Sequence, residues 1–233
     1  MITLPPIGLS KLKGRWPVFR SVASQLDSSG SNSLFVTKPA GVASGDILLA
    51  FIYSRNTNSL SSFDGFSLHT SATPTLDGVA HHCKSFIKIA TGSEPADYEW
   101  FWDTPSQGKG GVVLAYTGGH ATQTENANNV VLSANFQTHT MPTLVPSFDY
   151  SMQVSCWFLD ATGTGVIGTV TTPPVGMTLR FASPDAGFGG NAPDFFTVYE
   201  QRLGLNAVGS GTRDLVSGNN CSSFGITAGI RRS

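Results

Sequence analysis

The sequence predicts an all-β fold, a two-sheet antiparallel β-sandwich with jelly-roll character, and three observations carry that prediction. The 233 residues include 26 Gly and 13 Pro, which with many Ser, Thr and Asn cut the chain into short runs rich in Val, Ile, Phe, Tyr and Thr. No long segment carries an apolar stripe at helical spacing. Short strands joined by turns, without helices between them, pack sheet on sheet and not as a parallel α/β sheet.

Taken in order, strands are expected at 18–24, 33–37, 46–54, 66–71, 79–90, 97–103, 111–117, 128–134, 150–159, 165–171, 177–182, 195–203 and 222–230. The run DILLAFIY at 46–53 is apolar on both faces, so it belongs in the middle of the body, covered on both sides. In 79–90, Val79, His81, Cys83, Ser85, Ile87 and Ile89 share one face and His82, Lys84, Phe86 and Lys88 the other. In 150–159, Tyr150, Met152, Val154, Cys156 and Phe158 fall together.

A faint internal repeat runs through these strands. DILLAFIY (46–53), FDGFSL (63–68), KSFIKIATG (84–92) and GGVVLAYTG (110–118) are matched by YSMQVSCWF (150–158), PPVGMTL (173–179), FTVYEQRLG (196–204) and SSFGITAGI (222–230). Two antiparallel halves of this kind can each cover the other's apolar face. The expected division is a single sandwich domain over 18–233, with pseudo-repeats at 18–140 and 141–233.

Residues 1–17 read differently. Pro5, Pro6, Gly8, Gly14 and Pro17 break regular structure. The first twenty residues carry +4 and the remainder −5. One reading is a frayed terminus. The other is an extended docking arm, in which Leu4, Ile7, Leu9, Leu12 and Trp16 pack on a partner and Lys11, Lys13 and Arg15 add charge. The apolar content favours the arm.

Composition excludes several function classes. Charged residues make up 12 % of the chain and the net charge is −1, so neither a chain-wide polyanion binder nor a charge-driven disordered chain fits. No basic aromatic stripe marks a nucleic-acid surface. No apolar run reaches the ~18 residues that span a bilayer, and the first twenty residues lack the continuous apolar core of a secretion signal. Cys83, Cys156 and Cys221 are odd in number and widely spaced, which fits reduced thiols and assembly in a reducing cytosol.

Candidate chemistry is sparse. His81-His82-Cys83 is the most metal-like cluster, but adjacent strand residues point to opposite faces and Zn needs further ligands. No metal site and no cofactor are therefore expected. Glu94, Asp97, Glu99 and Asp103 lie among aromatics; a carboxylate pair there would suit a polysaccharide-degrading enzyme, whereas polar-out, aromatic-in alternation explains the pattern without catalysis. Tyr98, Trp100 and Trp102 share one face of a strand: exposed, they would stack on pyranose C–H surfaces and bind glycan; buried, they would fill the core. No GxSxG and no P-loop is present. No catalytic residue is assigned.

The runs PAGVASGDILLAFI (39–52), IATGSEPADYEWFW (89–102), GGVVLAYTGG (110–119) and TPPVGMTL (172–179) together resemble a β-sandwich domain of bacteriophage and prophage virion proteins, found in head decorations, spikes and tail fibres. The likeness covers about residues 35–182. It implies a non-enzymatic virion structural protein, assembled in the bacterial cytoplasm and docked by its N-terminal arm on capsid, portal, tail or fibre subunits. It also implies a homo-oligomer, an adhesive role toward host surface polysaccharide, no nucleic-acid partner and no membrane insertion. A carbohydrate-binding module and a polysaccharide-degrading enzyme stand as alternatives.

Overall fold

A computed structural model describes residues 16–55, 59–62, 64–76, 79–105, 108–141, 144–148, 150–160, 170–183, 186–187, 193–204 and 213–233. Every regular element among them is a strand and every pairing is antiparallel.

The chain first builds β1 (Val18–Asp27), β2 (Ser33–Thr37), β3 (Ile47–Ser54), β4 (Leu60–Ser62), β5 (Ser67–Ala72), β6 (Thr75–Leu76), β7 (Val79–Ala80), β8 (His82–Ile89), β9 (Asp97–Trp102) and β10 (Lys109–Thr117). Five of these form a sheet in the order β1-β10-β3-β8-β5, and a small sheet β2-β9-β4 lies over its outer face. The chain then builds β11 (Gly119–Met141), β12 (Ser151–Asp160), β13 (Val170–Thr172), β14 (Thr178–Ala182), β15 (Ala186–Gly187), β16 (Pro193–Leu203) and β17 (Arg213–Arg232). These make a second sheet in the order β11-β17-β12-β16-β14, with β13 on β17 and β15 on β16.

The two sheets repeat one design. Numbered by chain order, the main strands of each lie first, fifth, second, fourth, third. The covers match too: the end of β11 pairs with the start of β17, and β13 pairs with that, as β2-β9-β4 do. Irregularities recur in place. β5 bulges between Leu68 and Thr70 against β8, and β14 bulges between Leu179 and Phe181 against β16. β4 and β13 each skip one residue, at Leu60/Ser62 and Val170/Thr172. Gly65 and Gly176, which open the matched strands β5 and β14, have φ of 77° and 76°, a left-handed turn that glycine enters without steric cost. The segment pairs matched in the sequence fall on strands of the same rank in the two sheets, with registers offset by up to two residues.

The copies face each other through equivalent surfaces. Ile47, Leu49, Phe51 and Tyr53 of β3 meet Met152, Val154, Cys156 and Phe158 of β12 in one shared core. The equivalent residues Tyr53 and Phe158 stack on each other, centroids 5.2 Å apart and planes at 18°. Arg180 of β14 lies over the Phe19 ring of β1 at 4.4 Å, and β5 makes the reciprocal contact with β11. Such reciprocity defines an approximate two-fold relation.

The outer faces are buried in turn. Leu48, Ala50 and Ile52 point away from the shared core and pack with Leu34, Val36, Trp100 and Trp102 of the cover. Trp157, Leu159 and Tyr199 pack with Met141 and Val170 in the second copy. The sandwich is thus four layers deep, cover, sheet, sheet and cover, where two sheets were expected. DILLAFIY is buried throughout because it lies in the third, central position of its sheet with a layer on either side.

Within the first copy successive strands alternate between the main sheet and its cover, β1, β3 and β5 lying in one and β2 and β4 in the other, and that main sheet is completed by Thr117 before the next begins at Gly119. The repeat boundary accordingly falls at Gly118 and not at 140/141, because β11 is the first strand of the second copy. The expected strand 79–90 breaks at His81, and those at 128–134 and 222–230 are parts of much longer strands. Of 165–171, only the last two residues lie within the described structure.

Candidate functional site

The motif residues that carry the virion likeness are turn braces. Asp46 accepts the Ala43 N–H at 2.8 Å and pairs with Arg20 at 2.7 Å. Glu94 accepts the Thr91 N–H at 2.7 Å, the Thr91 hydroxyl at 3.0 Å and the Tyr98 hydroxyl at 3.0 Å, and pairs with Lys88 at 2.8 Å. Burial alone would raise the Glu94 carboxyl. The hydrogen bonds from Lys88, Thr91 and Tyr98 more than reverse this and hold it at about 2, against 4.5 for an ordinary Glu.

A carboxyl held low when folded stabilises above its unfolded value, and that stabilisation disappears as pH falls through the folded one. The Tm gap between the native protein and Glu94→Gln should therefore be full above about pH 4.5 and close as pH approaches 2. Calorimetry across that range checks it; a constant gap would show that the ionised form of Glu94 contributes nothing.

Tyr98, Trp100 and Trp102 do not form a glycan platform. They are 0 %, 0 % and 1 % exposed, because the even-numbered side of β9 faces the main sheet. Tyr98 meets Phe66 edge-on at 5.2 Å, Trp100 lies 5.4 Å from Phe66, and the Trp102 indole N–H donates to Ser54 Oγ at 3.2 Å.

The odd-numbered side of β9 faces outward with Asp97, Glu99 and Phe101. Opposite them on β2 stand Thr37, Phe35 and Ser33. Phe35 is 54 % and Phe101 37 % exposed, so the aromatic surface lies one residue out of step with the predicted one. Ser33 Oγ donates to Glu99 Oε1 at 2.6 Å. Beside Phe35 runs an open groove of about 400 Å³ whose lining includes Gln25, Asn32 and Ser33. Asp27, also at the groove, is held well below the usual carboxylate range: burial would raise it, but hydrogen bonds from Ser29, Ser31 and Lys109 win.

The proposed carboxylate pair does not converge. Glu94 is bound into its turn. Asp97 and Asp103 lie at opposite ends of β9, on the order of 20 Å apart at ~3.3 Å per residue, beyond the ~5–9.5 Å of glycosidase carboxylates. His81 is buried, with Nδ1 2.7 Å from the Tyr53 hydroxyl, and burial, aided by the Arg55 charge, lowers it to about 4.

One cluster escaped the sequence reading. His139 Nε2 lies 3.0 Å from Ser217 Oγ and 3.3 Å from Cys221 Sγ. His139 and Cys221 are 0 % exposed and Ser217 2 %; burial lowers His139 to about 4, so the imidazole is neutral at pH 7. By register, His139 and Ser217 stand where the first copy has Leu34 and Trp102. Nearby, Gln201 donates to Gln153 at 2.7 Å, Gln153 to Ser155 at 3.1 Å, and Ser155 meets Thr227 at 2.9 Å. This buried ladder stands where the first copy has Lys88, Leu48, Ala50 and Val113. Only the repeat register could have exposed it, since its members are far apart in sequence.

Trp16, expected to dock on a partner, packs on its own chain. Its indole N–H donates to the Leu203 carbonyl at 3.3 Å, its ring meets Tyr150 edge-on at 4.7 Å, and Arg202 lies 5.5 Å from the ring centroid. An indole beside an apolar core finds cover there that a free terminus would lack. Leu4, Ile7, Leu9, Lys11, Leu12, Lys13 and Arg15 lie outside the described residues. No family model matches the chain, and neither a curated protein nor a solved structure does.

Proposed function

We propose that this chain is a non-enzymatic structural component of a phage or phage-like virion, a decoration, spike or fibre subunit that docks through the segment preceding Trp16 and turns its opposite surfaces outward. The observation that carries the reading is the Trp16 clamp. It fixes, against Tyr150, Arg202 and Leu203, the point where a basic segment bearing Leu4, Ile7, Leu9 and Leu12 meets the body. The virion context itself comes from the resemblance of the turn motifs. Symmetric assembly is supported by two matched edge-strand residues, Leu68 and Leu179, which are 51 % and 50 % exposed at equivalent places in the two copies. Association would cover both edges.

Removing residues 1–15 while keeping Trp16 is the test. The truncated protein should retain its strand content and Tm and fail to join particles when it replaces the native chain. Incorporation at the native copy number would refute docking through this segment.

A further inference from the structure

The outer face of the β2-β9-β4 cover has the composition of a ligand surface, and among the described residues the first copy alone has it. Along β2 and β9 it presents Ser33, Phe35 and Thr37 beside Asp97, Glu99 and Phe101. In the second copy the residues matching Phe35 and Phe101 are Thr140 and Val216. Phe35 stands directly opposite Glu99, and Phe101 is its diagonal neighbour, a spacing of ~7–8 Å that one extended ligand can bridge. Packing against the main sheet does not need the Phe35 ring, since Leu34, Val36, Tyr98, Trp100 and Trp102 already fill that side of the cover.

We propose that this face, with the groove beside it, is a subsite for a neutral pyranose polysaccharide; the inference rests on the outward-facing role proposed above and on the adhesive role that the virion likeness implies. Phe35 and Phe101 offer flat apolar surfaces to sugar C–H faces. Glu99, oriented by the Ser33 hydroxyl at 2.6 Å, accepts hydrogen bonds from sugar hydroxyls. Gln25 and Asn32 line the adjoining groove of about 400 Å³ and supply amide donors and acceptors. A few convergent polar groups beside apolar surface is the usual composition of a small-ligand site. Charge selects among glycans. The ionisable residues of the face and its groove, Asp97, Glu99, Asp27 and, on the Glu99 N–H, Asp64, are all acidic, and Lys109 behind it is buried and paired with Asp27 at 3.1 Å. Uronate- or sialate-bearing chains would be repelled.

The experiment is an array of immobilised bacterial-type glycans, neutral and acidic, probed with the full chain, Phe35→Ser, Phe101→Ser and, as a control in the second copy, Val145→Ser, a 63 % exposed residue. The native protein and the control should retain neutral glycans and ignore acidic ones. Phe35→Ser and Phe101→Ser should lose tenfold or more in affinity, Phe35→Ser with an unchanged Tm. Absence of glycan binding by the native chain, preference for acidic glycans, or unaltered binding by both Phe variants would overturn the proposal. Sedimentation of the same proteins covers the other occupant: if the Phe variants lose self-association and the native chain binds no glycan, the face is an interface between copies. None of these results bears on incorporation of the chain lacking residues 1–15, so the virion reading stands or falls separately.

Discussion

Trp100→Ala is expected to destabilise the protein by ~3–5 kcal/mol, the cost of emptying a large aromatic site in a core that closes only partly. Trp100 is 0 % exposed and lies against Phe66 and Tyr98 in the layer between cover and main sheet. Urea unfolding followed by far-UV circular dichroism measures it. A loss below ~1 kcal/mol would mean that the cover sheet is not held by these rings. The size of the effect also separates this residue from Phe35, which is 54 % exposed. Partly solvated side chains away from special features usually change stability by no more than ~0.5 kcal/mol.

Phe158→Ala should cost a similar ~3–5 kcal/mol, with a different signature. The ring is stacked on Tyr53 at 5.2 Å and on Phe196 at 5.5 Å, and leans on Phe224 at 6.3 Å. It therefore joins the two copies as well as filling its own sheet. Because both sheets share that core, the variant should still unfold in one transition, at a lower midpoint. A component that persists at the native midpoint would mean that one copy holds together without the other.

Much of this architecture was legible in the residues. Ile47–Ser54 is apolar at odd and even positions alike, so burial on both sides followed from alternation alone. The low-identity repeat was also readable, because strands, turns and glycines recur in the same order even where side chains diverge. Other features were not. Alternation along Asp97–Trp102 separates Tyr98, Trp100 and Trp102 from Glu99 and Phe101, yet aromatics occur on both sides, and only the sheet beneath decides which is inside. The length of β11 and β17 was hidden by Gly119–Ala127 and Gly218-Asn219-Asn220, whose composition reads as loop although the strands run through them. The partnership of His139 with Cys221 spans 82 positions and leaves no local trace. The Trp16 contact was missed for a simpler reason: an apolar residue near a terminus announces that it will be covered, not by which chain.

The stacked pair Tyr53 and Phe158 has a consequence for how such a body could arise. A lone half would expose Ile47, Leu49, Phe51 and Tyr53 and could hide them only by pairing with a twin, making its stability a function of protomer concentration. Fusion through Gly118 replaces that dilution-sensitive encounter with an intramolecular one at high effective concentration. It also frees the two facing halves to differ, so that one carries Phe35 and Phe101 outside while the other carries a hydrogen-bonded interior.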